Sequence, residues 1–323
     1  MQSSRGTFKK LARLFTMMAA VALAPAAHAA YPDRPLTIVV NFGPGGVTDL
    51  MARALASGME KDLGQPVVIQ NKPGALGTLG PAYVAKQAPD GYTLAIVSAS
   101  VVTTTPHLMD VPVKPEDLIH VAGFGKNRYG IVVRQDSPFK KVADLVEAAK
   151  GSQSVFFGSP STPNSLIFFD LGRKTGGKFE LISYKAGPEA SLALLGGQVA
   201  VIAANPPDVI SHLQAGKLRL LASGSSQRWP EYPDVPTLKE AGYDVSVEAW
   251  AGVAVPAGTP QAIVDRLENG MKRALEMPAV QAKIRQIGAD PEFMGGKAYT
   301  QYLLQEREKT GAIIKDAGIP RIK

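Results

Sequence analysis

The stretch LTIVVNFGPGGVTDLMARALA, residues 36–56, decides the fold. Its first five residues are a short β-branched run and read as a strand. From Thr48 onward, Leu50, Met51, Ala54, Leu55 and Met59 recur at a spacing near 3.6, which marks a helix. Between the two stands Asn41-Phe42-Gly43-Pro44-Gly45-Gly46, and Thr48 or Asp49 suits the helix's N-terminal turn. A glycine-rich turn in this place can cradle a nucleotide, hold another anion, or simply connect strand to helix.

A dinucleotide fold needs G-x-G-x-x-G and an acid about twenty residues on, at the end of the next strand. Here the turn reads G-P-G-G-V-T, and the next strand ends Ile69-Gln70-Asn71. A phosphate loop of the G-K-[ST] kind is absent as well. Two readings remain: backbone N–H groups and a helix dipole aimed at an anion, or a plain connection.

The alternation continues outward. Strands are expected at 67–69 and 93–97, with a helix at 81–87 between them. A second set follows: strand 154–157, loop GSPSTPNS and helix 166–173. Then come strand 181–184, helix 189–195, strand 199–203, helix 209–215 and strand 218–221. The chain ends with a strand at 252–255 and helices at 260–276, 279–287 and 297–317. Strands alternating with helices predict an α/β fold whose mixed sheets are covered on both faces. Two such sets, with the last helices returning to the first, suggest two lobes and a cleft. One lobe takes 30–125 and 251–323, the other 126–250, with crossings near 126–131 and 247–251.

The first 29 residues read differently. Arg5, Lys9, Lys10 and Arg13 stand without an acid; an apolar run follows and ends in Ala27-His28-Ala29. That is a cleaved signal peptide, too short in its apolar part to span a bilayer, and it predicts export to the periplasm. Its removal leaves 31 basic residues (35 − 4) against 28 acidic, a net +3. No dense basic run follows residue 30, so no nucleic-acid partner is expected. The chain has no cysteine, which excludes thiol catalysis and cysteine-bound zinc. His107, His120 and His212 are too scattered to suggest a metal site. Neither G-x-S-x-G nor H-E-x-x-H occurs. No catalytic residue, metal or cofactor is therefore expected, although a Ser-His-Asp set assembled from distant positions stays open.

The segments YPDRPLTIVVNFGPGGVTDLMARALA, LGQPVVIQNKPGALGTLG, APDGYTLAIVS, LLGGQV, AGKLRLLASGSSQR, PDVPTLKEAGY and VPAGTP occur in order. Together they resemble the periplasmic solute receptors of tripartite tricarboxylate transporters, the Bug type, from Tyr31 to about Gly318. The resemblance implies a two-lobed type II periplasmic binding protein fold with a ligand cleft between the lobes. It also implies a monomer that closes on a small organic carboxylate and passes it to membrane permease subunits.

Carried onto this chain, the family's first loop is Phe42, Gly43, Gly45, Gly46, Val47, Thr48 and Asp49, whose backbone would hold a ligand carboxylate. Asp49 would cap the helix or orient water. The second loop offers Ser98, Ser100 and Thr103, with Thr105 where the family has asparagine. The other lobe would supply Ser159, Ser161, Thr162 and Asn164, then Tyr184, Lys185 and Asn205. Ala200, Ala203 and Ala204 stand where larger or acidic residues are usual. They either sit in a buried strand, which small apolar residues suit equally well, or imply a roomier, less negative cleft, suited to a dicarboxylate and to an aromatic one such as terephthalate. Arg128 and Lys185 are the candidate charged contacts to a distal carboxylate, and Trp250 either floors the cleft or packs at a hinge. Two other functions share these features: an exported hydrolase acting on a small carboxylate, and a sensory receptor of the same fold feeding a membrane kinase.

Overall fold

The computed structural model describes residues 31–184 and 186–321. The expected leader and Lys185 lie outside the described residues. In chain order the elements are β1 (Leu36–Val40), α1 (Val47–Leu63), β2 (Val67–Asn71), α2 (Leu79–Val84) and β3 (Thr93–Ser98). Two short helices, α3 (Ala99–Thr103) and α4 (Thr105–Leu108), lead to β4 (Leu118–Asn127) and β5 (Gly130–Arg134). Next come α5 (Val142–Lys150), β6 (Val155–Ser159), α6 (Thr162–Thr175), β7 (Phe179–Ser183) and α7 (Gly187–Leu195). They are followed by β8 (Val201–Ala204), α8 (Pro206–Gln214), β9 (Leu218–Ser223) and β10 (Ala249–Pro256). The chain closes with α9 (Gln261–Glu276), α10 (Pro278–Gln286), β11 (Ala289–Asp290), β12 (Met294–Gly295) and α11 (Gly296–Asp316).

These strands make two sheets. The first runs β11-β4-β10-β3-β1-β2, with β12 also on β4; the second runs β7-β6-β8-β5-β9. Each is mixed for the same reason. β1 pairs in parallel with β2 and β3, and β6 with β7 and β8, as helical crossovers require. β10 then runs antiparallel to β3 and β4, and β5 antiparallel to β8 and β9. The chain therefore passes between sheets at residues 128–129 and again over 224–248.

Burial follows from the pattern. β1 is LTIVV with four of its five residues buried, as a parallel strand covered on both faces should be. α1 buries Met51, Ala52, Leu55 and Met59 and stops at Gly64, whose φ of 71° closes the C-cap onto the Glu60 carbonyl. The core of the second sheet is built around Phe157, Phe168, Leu171 and Val201, and takes in Ile313 and Ile314 from α11. The last helix thus packs against the core of the other sheet.

The predicted elements recur with ends shifted by a few residues, and several elements were missed, among them the short helices α3 and α4 and the two-residue strands β11 and β12. β4 and β5 were not read as strands, nor 142–150 as a helix. β4 is LIHVAGFGKN, diluted by two glycines, a histidine and a lysine. Its glycines answer to packing: a Cβ on Gly123 would sit 2.9 Å from the rings of Trp250 and Tyr299, and one on Gly125 2.8 Å from Met51. Strands β7 and β8, consecutive in the chain, are not adjacent in the sheet, because β6 lies between them and pairs with both. Among the described residues no helix is long and apolar enough to cross a membrane.

Candidate functional site

The turn after β1 is held by Asp49. Its side chain is 1% exposed. Oδ2 accepts from the Gly45 N–H and from Arg53 Nε, both at 2.9 Å; Oδ1 accepts from Asn71 Nδ2, also at 2.9 Å. Asn71 Nδ2 donates in addition to the Phe42 carbonyl at 2.9 Å. Burial works against the charge on Asp49, but the bonds from Arg53, Asn71 and Gly45 outweigh it and hold the carboxyl below its ordinary range. Asp49 therefore knits the loop from behind.

Gly45 has φ of 81°, a conformation glycine adopts without strain. Gly46 is the N-cap of α1 and brings no side-chain cap. The first intrahelical bond runs from the Leu50 N–H to the Gly46 carbonyl at 3.0 Å. Hence the amides of residues 46–49 have no partner within the helix. The following loop presses on the same place. Gly74, Ala75, Leu76 and Gly77 all have positive φ, at 133°, 47°, 52° and 87°. A Cβ on Gly77 would meet Asn41 Nδ2 at 2.7 Å and Phe42 Cζ at 3.0 Å. Asn41, fully buried, donates to the Gly77 carbonyl at 3.2 Å.

The second sheet contributes a matching turn. α6 begins at Thr162 after Ser161, and Pro163 stands in its first turn. The hydroxyls of Ser159 and Ser161 bond within the loop. Ser159 Oγ donates to the Ser161 carbonyl at 2.9 Å, and Ser161 Oγ to Asn164 Oδ1 at 2.6 Å. Asn164 Nδ2 donates to the Ala203 carbonyl at 2.9 Å, and Asn205 Nδ2 to the Arg128 carbonyl at 2.9 Å. These side chains set the shape of the turn and tie it to the crossing at 128–129.

A cavity of about 730 Å³ lies between the two turns. Of the expected site residues, Phe42, Gly43, Gly46, Val47, Thr48, Ser98 and Ser100 line it from the first sheet's side. Ser159, Ser161, Thr162, Asn164 and Asn205 line it from the second. Gly45, Asp49, Thr103 and Tyr184 do not reach the wall. Thr103 is buried with its Oγ1 3.3 Å from that of Thr104, which takes the wall position instead. Tyr184 packs beside Ile182 against a core of the second sheet. Trp250 is on the wall, 3% exposed.

Sequence reasoning missed Leu76, Tyr129, Phe169, Leu181 and Ile319, which also form the wall. Leu181 and Ser183 alternate along β7 onto one side, a period-two signal that the segment offered; Ile319, beyond the last helix, gave none.

Two expectations about charge and size are corrected. Arg128 does not face the cavity. It is 1% exposed, pairs with Glu231 at 2.5 and 3.2 Å, and lies 3.4 Å from Asp290. Ala203 and Ala204 sit buried in β8, and Ala200 is exposed in the turn before it. None of the three widens the cavity. Among the described residues, no Asp, Glu, Lys, Arg or His lines its wall.

Against known proteins, residues 51–319 match the model of the tripartite tricarboxylate transporter family receptor. The chain is 33% identical to Protein BugT of Bordetella pertussis (strain Tohama I) over 312 residues, 94% of this chain and 95% of BugT. A TctC solute binding protein from Polaromonas superposes with a TM-score of 0.79 at 30% identity, covering 88% of this chain and 99% of that one. The R. palustris protein Rpa4515, solved with adipate, superposes with a TM-score of 0.76 at 29% identity, covering 90% and 100%.

Proposed function

The chain belongs to the family of tripartite tricarboxylate transporter receptors, and from that premise we propose that it captures a small organic carboxylate in the periplasm and delivers it to a membrane permease. One observation carries this reading: two loop-to-helix turns, one from each sheet, border a single cavity with no charged side chain on its described wall. The open amides of α1's first turn are pre-aimed donors, and the helix dipole adds a favourable field for an anion. Fixed donors need no reordering on binding, which offsets part of the cost of association.

The remaining wall selects the ligand's body. Leu76, Tyr129, Phe169, Leu181 and Trp250 give it an apolar middle. A carboxylate whose charges sit at its ends and whose centre is apolar fits this division. A dicarboxylate would place its second group at the turn of Ser161 and Thr162. The adipate in Rpa4515 is a ligand of that type; an aromatic dicarboxylate such as terephthalate has the same pattern. Closure would turn on the crossings at 128–129 and 224–248, bringing the two turns onto one molecule. Ser98, Ser100, Ser159 and Ser161 reach the cavity with no histidine on its described wall to take a proton from them, so we favour a receptor over a hydrolase.

The test is a thermal-shift and calorimetric screen of the mature protein against aliphatic and aromatic mono- and dicarboxylates. A receptor gives saturable binding, a raised melting temperature and unchanged ligand. Consumption of any of these compounds, or binding by none, contradicts the reading.

A further inference from the structure

Helices α3 and α4 form one wall of the large cavity and, on their other side, one wall of a second. Ser98, Ser100 and Thr104 border the first; Val97, Val101 and Val102 border the second, whose volume is about 150 Å³. Val113 and Leu118 complete an apolar interior. An apolar space of roughly 150 Å³ is large enough for a six-membered ring.

Within this lining stands one buried polar group. His120 is 8% exposed, and its Nδ1 has no hydrogen-bond partner among the described residues. Its ring meets Tyr299 edge-on, with centroids 5.7 Å apart. Burial pushes its pKa down to about 4, so the ring is neutral near pH 7 and offers one N–H and one lone pair. Its Nδ1 is sealed off, and it is the rest of the ring that borders this cavity. Lys114, exposed, and Arg307, partly exposed, border the same cavity, and neither side chain has an ion-pair partner among the described residues.

We propose that this cavity is a second ligand site, separate from the carboxylate cavity, for a ring-sized hydroxylated apolar molecule. Its hydroxyl pairs with His120, and a negative substituent is drawn to Lys114 and Arg307. An occupant there braces the wall that the two cavities share.

The test locates the ligand and then weighs its contacts. Crystals of the protein are soaked in 4-bromophenol and measured at the bromine edge. Phenol and 4-hydroxybenzoate are titrated in solution against the Gly46→Asp protein, in which carboxylate binding at the first cavity is expected to be strongly weakened. The expected results are a bromine peak among Val97, Val101 and Leu118 and saturable phenol binding. His120→Phe should weaken phenol roughly tenfold, the worth of about one hydrogen bond. Arg307→Gln should weaken 4-hydroxybenzoate and leave phenol unchanged, which keeps the proposal testable if His120→Phe does not fold. Bromine in the large cavity alone or nowhere, unsaturable phenol uptake, a folded His120→Phe protein that binds as before, or an Arg307→Gln protein that treats both ligands alike would each overturn it.

Discussion

The cavity and the crossings beside it handle charge in opposite ways. At the crossings, Lys126 and Arg128 are both buried, and they are surrounded by Glu231, Glu248, Asp290 and Glu292. Lys126 Nζ lies 2.9 Å from Glu292 and 3.3 Å from Glu248, and Arg128 pairs with Glu231 and Asp290. Burial disfavours the charge on Lys126, yet these carboxylates raise its pKa. Asn127 and Tyr129, on either side of Arg128 in the chain, already line the cavity, whose wall has no charged side chain among its described residues and exposes amides of α1's first turn without a partner in the helix. Charge is used where geometry must be fixed, and under the proposed function dipoles serve where an ion must come and go. A buried ion pair broken on one side is costly, whereas a helix terminus accepts an anion without a counter-ion to displace.

The sharpest way to break this contrast is to put a charge into the neutral region. In Gly46→Asp the new Cβ meets only the Gly43 carbonyl, at 3.6 Å, an ordinary contact. Aspartate is also a favoured N-cap. The melting temperature should hold or rise slightly, while carboxylate affinity in calorimetry falls roughly a hundredfold, because the new carboxylate takes the amides the ligand would use.

Removing a charge from the other region should do the reverse. Arg128→Gln leaves Glu231 and Asp290 without their cation and should cost about 2 kcal/mol in urea unfolding, a figure reduced because Glu231 is partly exposed. Ligand contacts at α1 remain. A loss of affinity larger than the loss of stability would show that Arg128 acts on the ligand after all.

Two aspartates sharpen the same contrast through pH. Asp49 has its pKa lowered, so its stabilisation is complete above the unfolded value of 3.8 and is lost as pH falls through its lower folded value. Asp290 is shifted the other way: burial raises it, with Glu248 and Glu231 adding to the effect and Arg128 and Lys126 opposing it. Its folded carboxyl is destabilised progressively as pH climbs above 3.8 towards its raised folded value. Asp49→Asn should therefore cost about 1.5 kcal/mol at pH 7, and Asp290→Asn should cost nothing or stabilise. Unfolding titrations across pH 3 to 7 would show slopes of opposite sign removed by the two substitutions.

The smallest effect belongs to Leu76, which holds a positive φ on the cavity wall at 45% exposure. Strain at such a residue is worth about 1 kcal/mol. Leu76→Gly should recover up to that much stability and lose severalfold in affinity for ligands with an apolar body. Equal affinity for all ligands would remove Leu76 from the wall that selects them.

Much of this was legible in the sequence, for specific reasons. β1, its glycine turn and α1 could be read because period, turn chemistry and length all agreed. The turn at 158–165 was located, but the bonds that Ser159 and Ser161 make within the loop are invisible in one dimension. β4 was hidden by glycines that exist to admit Trp250, Tyr299 and Met51. The fate of Arg128 depended on Asp290, 162 positions away (290 − 128), and the alanines of β8 on which strand lay beside them. Local chemistry was written in the sequence, while the partners brought by the sheet order were not.

The central claim is that main-chain amides at the start of α1 hold the anion. The crystal structure of the protein with the tightest carboxylate from the screen tests it most directly. The account predicts a carboxylate group within hydrogen-bond distance of the amides of residues 46–48, with the ligand's apolar part against Leu181 and Trp250. A carboxylate bound instead to a lysine or arginine side chain, or a ligand outside this cavity, would contradict it.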